Sequence, residues 1–323
     1  MPLKEFILQK QLQYCTEFFS DKEILEIVEQ FLLYQHKNSN LLFSELTILH
    51  HFIFNGSRKE IYSLAAAIEL IILSADIYDD LEDKDNDSAP WRSEDQSVVL
   101  NICSGLLILS LKMVHDHCKE AYQVIHDLLP RSIQGQHKDL TNHIQDEDDY
   151  MNMIRKKSGS LTAMACLAGA VYAKADSLDT VRSYGEAIGM IAQINNDRQG
   201  IQAWDTRSDL AQKKRTLPVL YMLNSDQHNY ISQYYSGHLT YEHLLQRKDS
   251  VLEELEHYGA VMYTNVRIQL LYDEAAKKID TLAIHPKAKI ILKKLVGGHI
   301  DASNYSVSFT ASRSDGKSKG RQS

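Results

Sequence analysis

Asp79, Asp80 and Asp83 stand in DDxxD spacing inside ADIYDDLEDKDND, residues 75–87, where seven of thirteen side chains are acidic. If residues 59 to 84 form one helix, Asp76, Asp79, Asp80 and Asp83 fall at i, i+3, i+4 and i+7 and share a face. Carboxylates packed that closely repel, and they are stable only where they reach water, take up protons or hold cations. A wet helix end would satisfy the first condition. Two features favour the last: the cluster ends the most apolar stretch of the chain, and acid at a helix C-terminus opposes the macrodipole. An all-oxygen patch of this kind suits Mg²⁺, which takes one or two carboxylates and completes its octahedron with phosphate oxygens and water. The chemistry implied is the binding of a diphosphate. Glu82, Asp85 and Asp87 lie off the stripe and read as solvated.

A diphosphate that leaves also needs cations and hydrogen-bond donors for its growing charge. Three segments offer them. RKKSGSLTAMACLAGA, residues 155–170, places Lys157 and Ser158 at the head of a face of small residues. GMIAQINND, residues 189–197, puts Gln193 and Asp197 one helical turn apart. DLAQKKRTLP, residues 209–218, gathers Lys213, Lys214 and Arg215 ahead of a helix start.

These side chains require helices to carry them, and the chain supplies little else. It has 323 residues, 44% hydrophobic, with only 14 Gly and 5 Pro, and helical periodicity recurs where strand alternation does not. The reading is all-α, with helices over 4–35, 42–54, 59–84, 95–128, 131–144, 147–174, 177–202, 216–236, 240–281 and 286–298. Pro90, Pro130, Pro218 and Pro286 are read as helix starts. One helical domain is expected over 1–305, followed by a polar, basic tail over 306–323 that cannot offset the entropy of ordering. A net charge of -8 without an internal basic block excludes nucleic acid as a partner. Four scattered cysteines and an N-terminus without a signal pattern point to the cytoplasm. The apolar run at 64–73 is interrupted by Glu69 and is too short to cross a bilayer, so no transmembrane span is expected. His115 and His117, and His50 and His51, read as surface pairs, and Glu69 as a hydrogen-bonded interior group.

Taken in order, the motifs resemble the polyprenyl diphosphate synthase family of all-α prenyltransferases. IELIILSADIYDDLED resembles its first aspartate-rich segment, GQHKDL its GQ-x-x-D-L element through Gln136 and Asp139, and IRKKSGSL its K-T-G segment with Ser158 in place of Thr. IAQINND stands where the family has F-Q-x-x-D-D, and Lys214, Thr216 and Pro218 match K-x-T-x-P. The resemblance implies a single-domain helical bundle around a central prenyl diphosphate cavity and an Mg²⁺-dependent enzyme. It assigns Asp79, Asp80, Asp83, Lys157 and Lys214 to catalysis. Lys157, Ser158, Gln193, Lys214 and Gln136 are assigned to substrate binding, and Asp79, Asp80, Asp83 and Asp197 to the metal. Pairing as a homodimer is also implied, as is Asp139 anchoring helices.

The departures are as specific as the matches. The early G-G-K-R-x-R-P segment and the Arg-Arg pair that hold a second diphosphate are replaced by NGSRKE and DSAPWR, leaving Arg58, Lys59 and Arg92 out of register. The second aspartate-rich motif reads NDRQG, keeping only Asp197. The donor half is retained and the acceptor half is not, so the acceptor is expected to be something other than a diphosphate. Within the family this pattern resembles the members that move a geranyl or farnesyl group from its diphosphate to a tryptophan of a pheromone precursor peptide for quorum sensing. Such a protein would be cytoplasmic, touching the membrane peripherally at most. The weighed alternatives are a short-chain prenyl diphosphate synthase, a non-catalytic partner subunit of one, and a terpene cyclase; the cyclase motif fails at Gly200 and Trp204.

Overall fold

The computed structural model describes residues 2–57, 59–84, 86–204 and 208–298. Arg58, Asp85 and the tail expected from residue 306 lie outside the described residues, among which the only regular structure is helical. Helix α1 (Leu3–Phe18) and α2 (Lys22–Asn38) precede α3 (Leu42–Ile53) and α4 (Ile61–Asp83). A single 3-10 turn, Pro90–Arg92, leads to α5 (Gln96–His117) and α6 (Lys119–Leu140). Helix α7 (Glu147–Ile154) runs through a π turn, Arg155–Gly159, into α8 (Ser160–Tyr172), and α9 (Leu178–Gly200) packs back along α8. Four shorter helices, α10 (Leu217–Ser225), α11 (Tyr230–Tyr235), α12 (Tyr241–Leu245) and α13 (Lys248–His257), precede α14 (Ala260–Asp280) and α15 (Pro286–Val296).

Helix α4 is the axis of the bundle because it is apolar on every side. From Leu64 to Ser74 each of its residues is buried, enclosed by α1, α3, α5 and α8. A helix apolar all round has no solvent face to offer and must sit in a core. Each buried Leu or Ile contributes roughly 1.5–3 kcal/mol relative to exposure, so this helix is held by its neighbours rather than by its propensity. Its last turn is different: it is acidic, with no basic residue ahead of Lys84, which ends the helix in the left-handed region at φ 57. The acidic face therefore emerges from the core at the end of the most firmly held helix.

Two glycines allow the surrounding helices to approach that end closely. A Cβ on Gly135 of α6 would lie 2.2 Å from the backbone nitrogen of Lys157, and one on Gly189 of α9 would lie 2.4 Å from the carbonyl oxygen of Ser158. Any other residue at either place would push the π turn away from its neighbours. The π turn itself inserts an extra residue into the helix, a distortion that recurs at functional sites.

Several boundaries differ from the sequence expectation. The predicted helix over 4–35 is two, because Asp21 stops the run and caps α2 by accepting from the amides of Glu23 (2.9 Å) and Ile24 (3.3 Å). Pro130 does not start a helix. It lies inside α6 on an exposed face, where the single lost donor is tolerated, and the break falls instead at Cys118, whose thiol accepts from the Ala121 amide at 3.3 Å. Pro90, Pro218 and Pro286 do stand in first turns. The stretches 216–236 and 240–281 are interrupted at Asn229, a capping residue, and at Gly259, which takes φ 79.

His50 and His51 are not a surface pair: both are fully buried. His50 bonds the Leu46 carbonyl at 2.7 Å and stacks on Tyr184, and burial pushes its imidazole down to about 4, so it is neutral at ordinary pH. Glu69 is an interior group as expected, accepting from the Ser44 amide at 2.7 Å, with burial pushing its carboxyl up to about 7. Helices α4 and α5 are each long and apolar enough to cross a membrane by length and composition, although neither carries an unbroken apolar run of that length. The apolar window of α4 is 78% buried inside the bundle, whereas that of α5 is 44% buried and leaves a face uncovered.

Candidate active site

At the end of α4 the chain brings together residues that the sequence scatters over more than a hundred positions. Asp79 and Asp83 come from α4, Asp139 from the end of α6, Lys157 from the π turn, Gln193 and Asp197 from α9, and Lys214 from the loop before α10. They line one cavity of about 250 Å³.

Its electrostatic centre is Asp139. The Asp139 carboxylate accepts from Lys157 Nζ at 2.7 Å and from Lys214 Nζ at 3.5 Å. Lys157 Nζ also lies 3.4 Å from Asp79 Oδ1, and Lys214 Nζ 3.4 Å from Asp83 Oδ2. Burial disfavours the charged form of Asp139, but the two ammonium groups outweigh it and hold its carboxyl below the ordinary value. The same balance acts on both lysines: burial works against their charge, and the aspartates outweigh it and hold them protonated. The expectation that Asp139 anchors helices describes only part of its position, since it also faces the cavity.

Asp197 behaves oppositely. It is 7% exposed, accepts from Tyr150 Oη at 2.6 Å and from Gln193 Nε2 at 2.8 Å, and makes no ion pair among the described residues. Burial, offset only partly by those two donors, pushes its carboxyl up to about 7. Ser158 donates to Gln193 Oε1 at 2.7 Å, so Ser158, Gln193, Asp197 and Tyr150 form one chain of hydrogen bonds. Ser158 does not itself line the cavity and acts by orienting Gln193.

Two expected site residues are placed elsewhere. Asp80 accepts from Trp91 Nε1 at 2.8 Å and Asn86 Nδ2 at 2.7 Å and is not among the cavity walls, because on a helix it points a full 100° from Asp79. Gln136 donates to Glu82 at 2.9 Å on the outer surface and is likewise outside the cavity. Asp76 keeps solvent access, yet protein closes around it; that burial, ahead of the charges of Glu69, Asp79 and Asp80, pushes its carboxyl up to about 8.

The cavity also holds Arg215, offered above as one of a basic run, and residues that the sequence reading did not single out: Asn142, Tyr150 and Asp209. A Cβ on Gly200 would lie 2.8 Å from Asp209 Oδ2, so Asp209 fills space beside the missing carboxylate of NDRQG. Burial raises Asp209, against the pull of Lys214. An acid five residues ahead of Lys214 was the available signal; Tyr150 gave none. Arg198, also in NDRQG, turns away to bond Asn265 of α14.

Among the described residues no three His, Cys, Asp or Glu side chains converge closely enough to hold an ion by themselves. The donor set nevertheless fits Mg²⁺ shared with a phosphate ligand: the walls offer carboxylate oxygens from Asp79, Asp83, Asp197 and Asp209, and Asp79 Oδ1 is buried without a hydrogen bond.

Comparison with known proteins agrees with this geometry. Residues 37–252 match the family model "Polyprenyl synthetase". The chain is 33% identical over 271 residues to the "Tryptophan prenyltransferase ComQ" of Bacillus subtilis (strain 168), covering 81% of this chain and 90% of that protein. Its fold is that of the geranylgeranyl pyrophosphate synthetase from Pyrococcus horikoshii Ot3 (TM-score 0.77, 18% identity, 91% and 94% of the two chains). It is also that of a polyprenyl synthase from Caulobacter crescentus CB15 solved with calcium and isoprenyl diphosphate (TM-score 0.73, 18% identity, 95% and 93%).

The Asp197 carboxyl has a pH signature. Its value in the folded protein, about 7, exceeds the ordinary 3.8, so between them the folded protein binds more protons than the unfolded chain. Its contribution to stability is therefore present at low pH and is lost as pH rises through that window. Asp197→Asn should remove this part of the slope, so that unfolding free energies at about pH 4 and pH 8 differ from the wild-type pattern by on the order of 1–3 kcal/mol. An unchanged pH profile would contradict a buried, protonated Asp197.

Proposed function

The chain belongs to the polyprenyl synthetase family and is a prenyltransferase; from that premise we propose that it moves a geranyl or farnesyl group from its diphosphate to a tryptophan of a pheromone precursor peptide. The observation that carries this reading is a donor site built without a second diphosphate site. Lys157, Lys214 and three aspartates are mutually paired at the end of α4. The described basic residues near the places where an acceptor diphosphate would be held lie outside the cavity: Arg92 is 3.7 Å from Asp87, and Lys59 is exposed. The likeness to a tryptophan prenyltransferase supports the same choice of acceptor.

In this mechanism the donor diphosphate enters among the lysines and aspartates. Asp79 and Asp83, with Asp197 and Asp209 across the cavity, are the residues that would hold Mg²⁺ against it, and the bound ion would neutralise charge on the leaving group. Lys157 and Lys214, already protonated and shielded by burial, stabilise the negative charge that grows as the carbon–oxygen bond breaks and its electron pair passes to the diphosphate. The allylic cation left behind is attacked by the electron-rich indole, forming the new carbon–carbon bond, and the departed diphosphate accepts the proton released. Asp80 serves by fixing Trp91 and Asn86 against the end of α4.

We also propose that the enzyme works as a homodimer joined through α5. Leu100 and Ile108 are 38% and 59% exposed on one face of that helix, with Leu107 and Leu111 half-buried beside them, and a second copy is the occupant that a self-complementary apolar face suits best.

Two measurements follow. With purified protein, Mg²⁺, geranyl or farnesyl diphosphate and the precursor peptide, mass spectrometry should detect a prenyl mass shift. That shift should be absent from a peptide lacking tryptophan and reduced roughly a hundredfold or more in rate by Asp79→Asn or Asp83→Asn. Chain elongation with isopentenyl diphosphate in place of the peptide would instead favour an ordinary short-chain synthase. For the assembly, Ile108→Glu should convert the sedimenting species from dimer to monomer with its helical circular dichroism intact; a dimer that persists would exclude this face.

A further inference from the structure

Beside the donor cavity lies a second one of about 390 Å³, to which nothing above assigns a role. It is walled by the loop after α6, through Asn142, His143, Ile144 and Gln145, by Lys213 and Arg215, and by Tyr235 of α11. Asn142, Ile144 and Arg215 line both cavities, so a ligand in the second is a neighbour of a donor in the first.

The charges of this cavity are unbalanced. Lys213 Nζ donates to the Tyr234 carbonyl at 3.1 Å and lies 4.6 Å from the centre of the Tyr234 ring; Arg215 Nη1 donates to the Ile144 carbonyl at 3.1 Å. Neither has an acidic partner among the described residues, and no carboxylate lines the cavity. One wall is also held in an unusual conformation. Lys213 adopts φ 54, a region lysine seldom occupies, and its carbonyl accepts from Asn142 Nδ2 at 2.9 Å. Backbone outliers of this kind persist where the surroundings hold them and concentrate at binding sites.

We propose that this cavity is the acceptor subsite and that Lys213 and Arg215 receive a carboxylate of the acceptor peptide, next to the tryptophan that is modified; the proposal rests on the peptide acceptor argued above. An arginine with donors to spare and a lysine ammonium suit a carboxylate, for which the guanidinium fork is shaped. A second diphosphate suits the cavity poorly, since it carries more charge than two cations neutralise and finds no carboxylate here to share a metal with. Ile144 and Tyr235 supply an apolar wall for the peptide's carbon skeleton.

The test is calorimetric binding of three N-acetylated, unlabelled tetrapeptides to the full chain: Gly-Asp-Trp-Gly amide, Gly-Asn-Trp-Gly amide, and Gly-Asn-Trp-Gly with a free C-terminal carboxylate. Wild type should bind at least one carboxylate peptide about tenfold more tightly than the neutral one, and comparison of the two identifies a side-chain or terminal source. Lys213→Gly, which suits φ 54, and Arg215→Gln, which keeps a donor for the Ile144 carbonyl, should each abolish the preference without weakening the neutral peptide. Lys213→Arg should retain it. Equal affinities in wild type, a preference that survives both variants, or displacement by metal-free inorganic diphosphate more effectively than by the acidic peptide would each overturn the proposal. Loss of prenyl transfer is a separate outcome: a carboxylate preference in a protein that modifies no peptide would refute the acceptor reading while leaving the cavity's specificity in place.

Discussion

The contact on which the site depends is the carboxylate of Asp139 held between Lys157 and Lys214. Two ammonium groups brought into one small cavity repel by several kcal/mol at the effective dielectric of a partly buried site, and each also loses hydration. Asp139 offsets both costs, with Asp79 and Asp83 completing an alternating arrangement of charge. Every element nearby serves that arrangement. Gly135 lets α6 approach the π turn closely enough for Asp139 and Lys157 to meet, and the buried body of α4 fixes Asp79 and Asp83 opposite them. Removing Asp139 would leave the lysines unpaired, which is why an element resembling a helix anchor is also the electrostatic keystone of the cavity.

The two sides of the cavity differ in kind. On the α4 side Asp79 and Asp83 are paired with lysines, whereas on the α9 side Asp197 is buried among Tyr150 and Gln193 and carries a raised value. The substitutions in NDRQG explain the contrast. Without further carboxylates at 196 and 200, Arg198 is free to tie α9 to α14, and the space above Gly200 belongs to Asp209. In the proposed mechanism the donor would thus be gripped mainly from one side. The other side opens, through Asn142, Ile144 and Arg215, toward a cationic cavity that has no acid of its own.

Much of this was legible in the chain. The all-α class and the course of α4 followed from periodicity, which depends on local spacing, and the convergence of Asp79, Asp83, Lys157, Gln193 and Lys214 followed from what the order of motifs implies through its resemblance to the family. What failed depended on orientation or on distant neighbours. Asp80 shares a stripe with Asp79 at the resolution of i, i+3, i+4 reasoning, yet the 100° between adjacent residues turns it to Trp91. Pro130 looked like a helix start, but an exposed position inside α6 makes its missing donor cheap, and the Cys118 thiol makes the actual break. His50 and His51 are polar by type and buried by packing, which no local pattern reveals. Asp209 and Lys213 were visible only as parts of a charged run, and their separation into two cavities is a property of the tertiary fold.

In the proposed mechanism the aspartates and lysines exchange partners when the donor arrives, the acids turning to a metal and the ammonium groups to the diphosphate. The most direct measurement is calorimetric titration of a non-ionising geranyl thiodiphosphate with and without Mg²⁺, in wild type and in Asp79→Asn/Asp83→Asn. The expected result is tight binding in wild type that depends on Mg²⁺ and a variant whose weak binding is indifferent to it. Binding in wild type of equal strength in the presence of chelator would contradict the account.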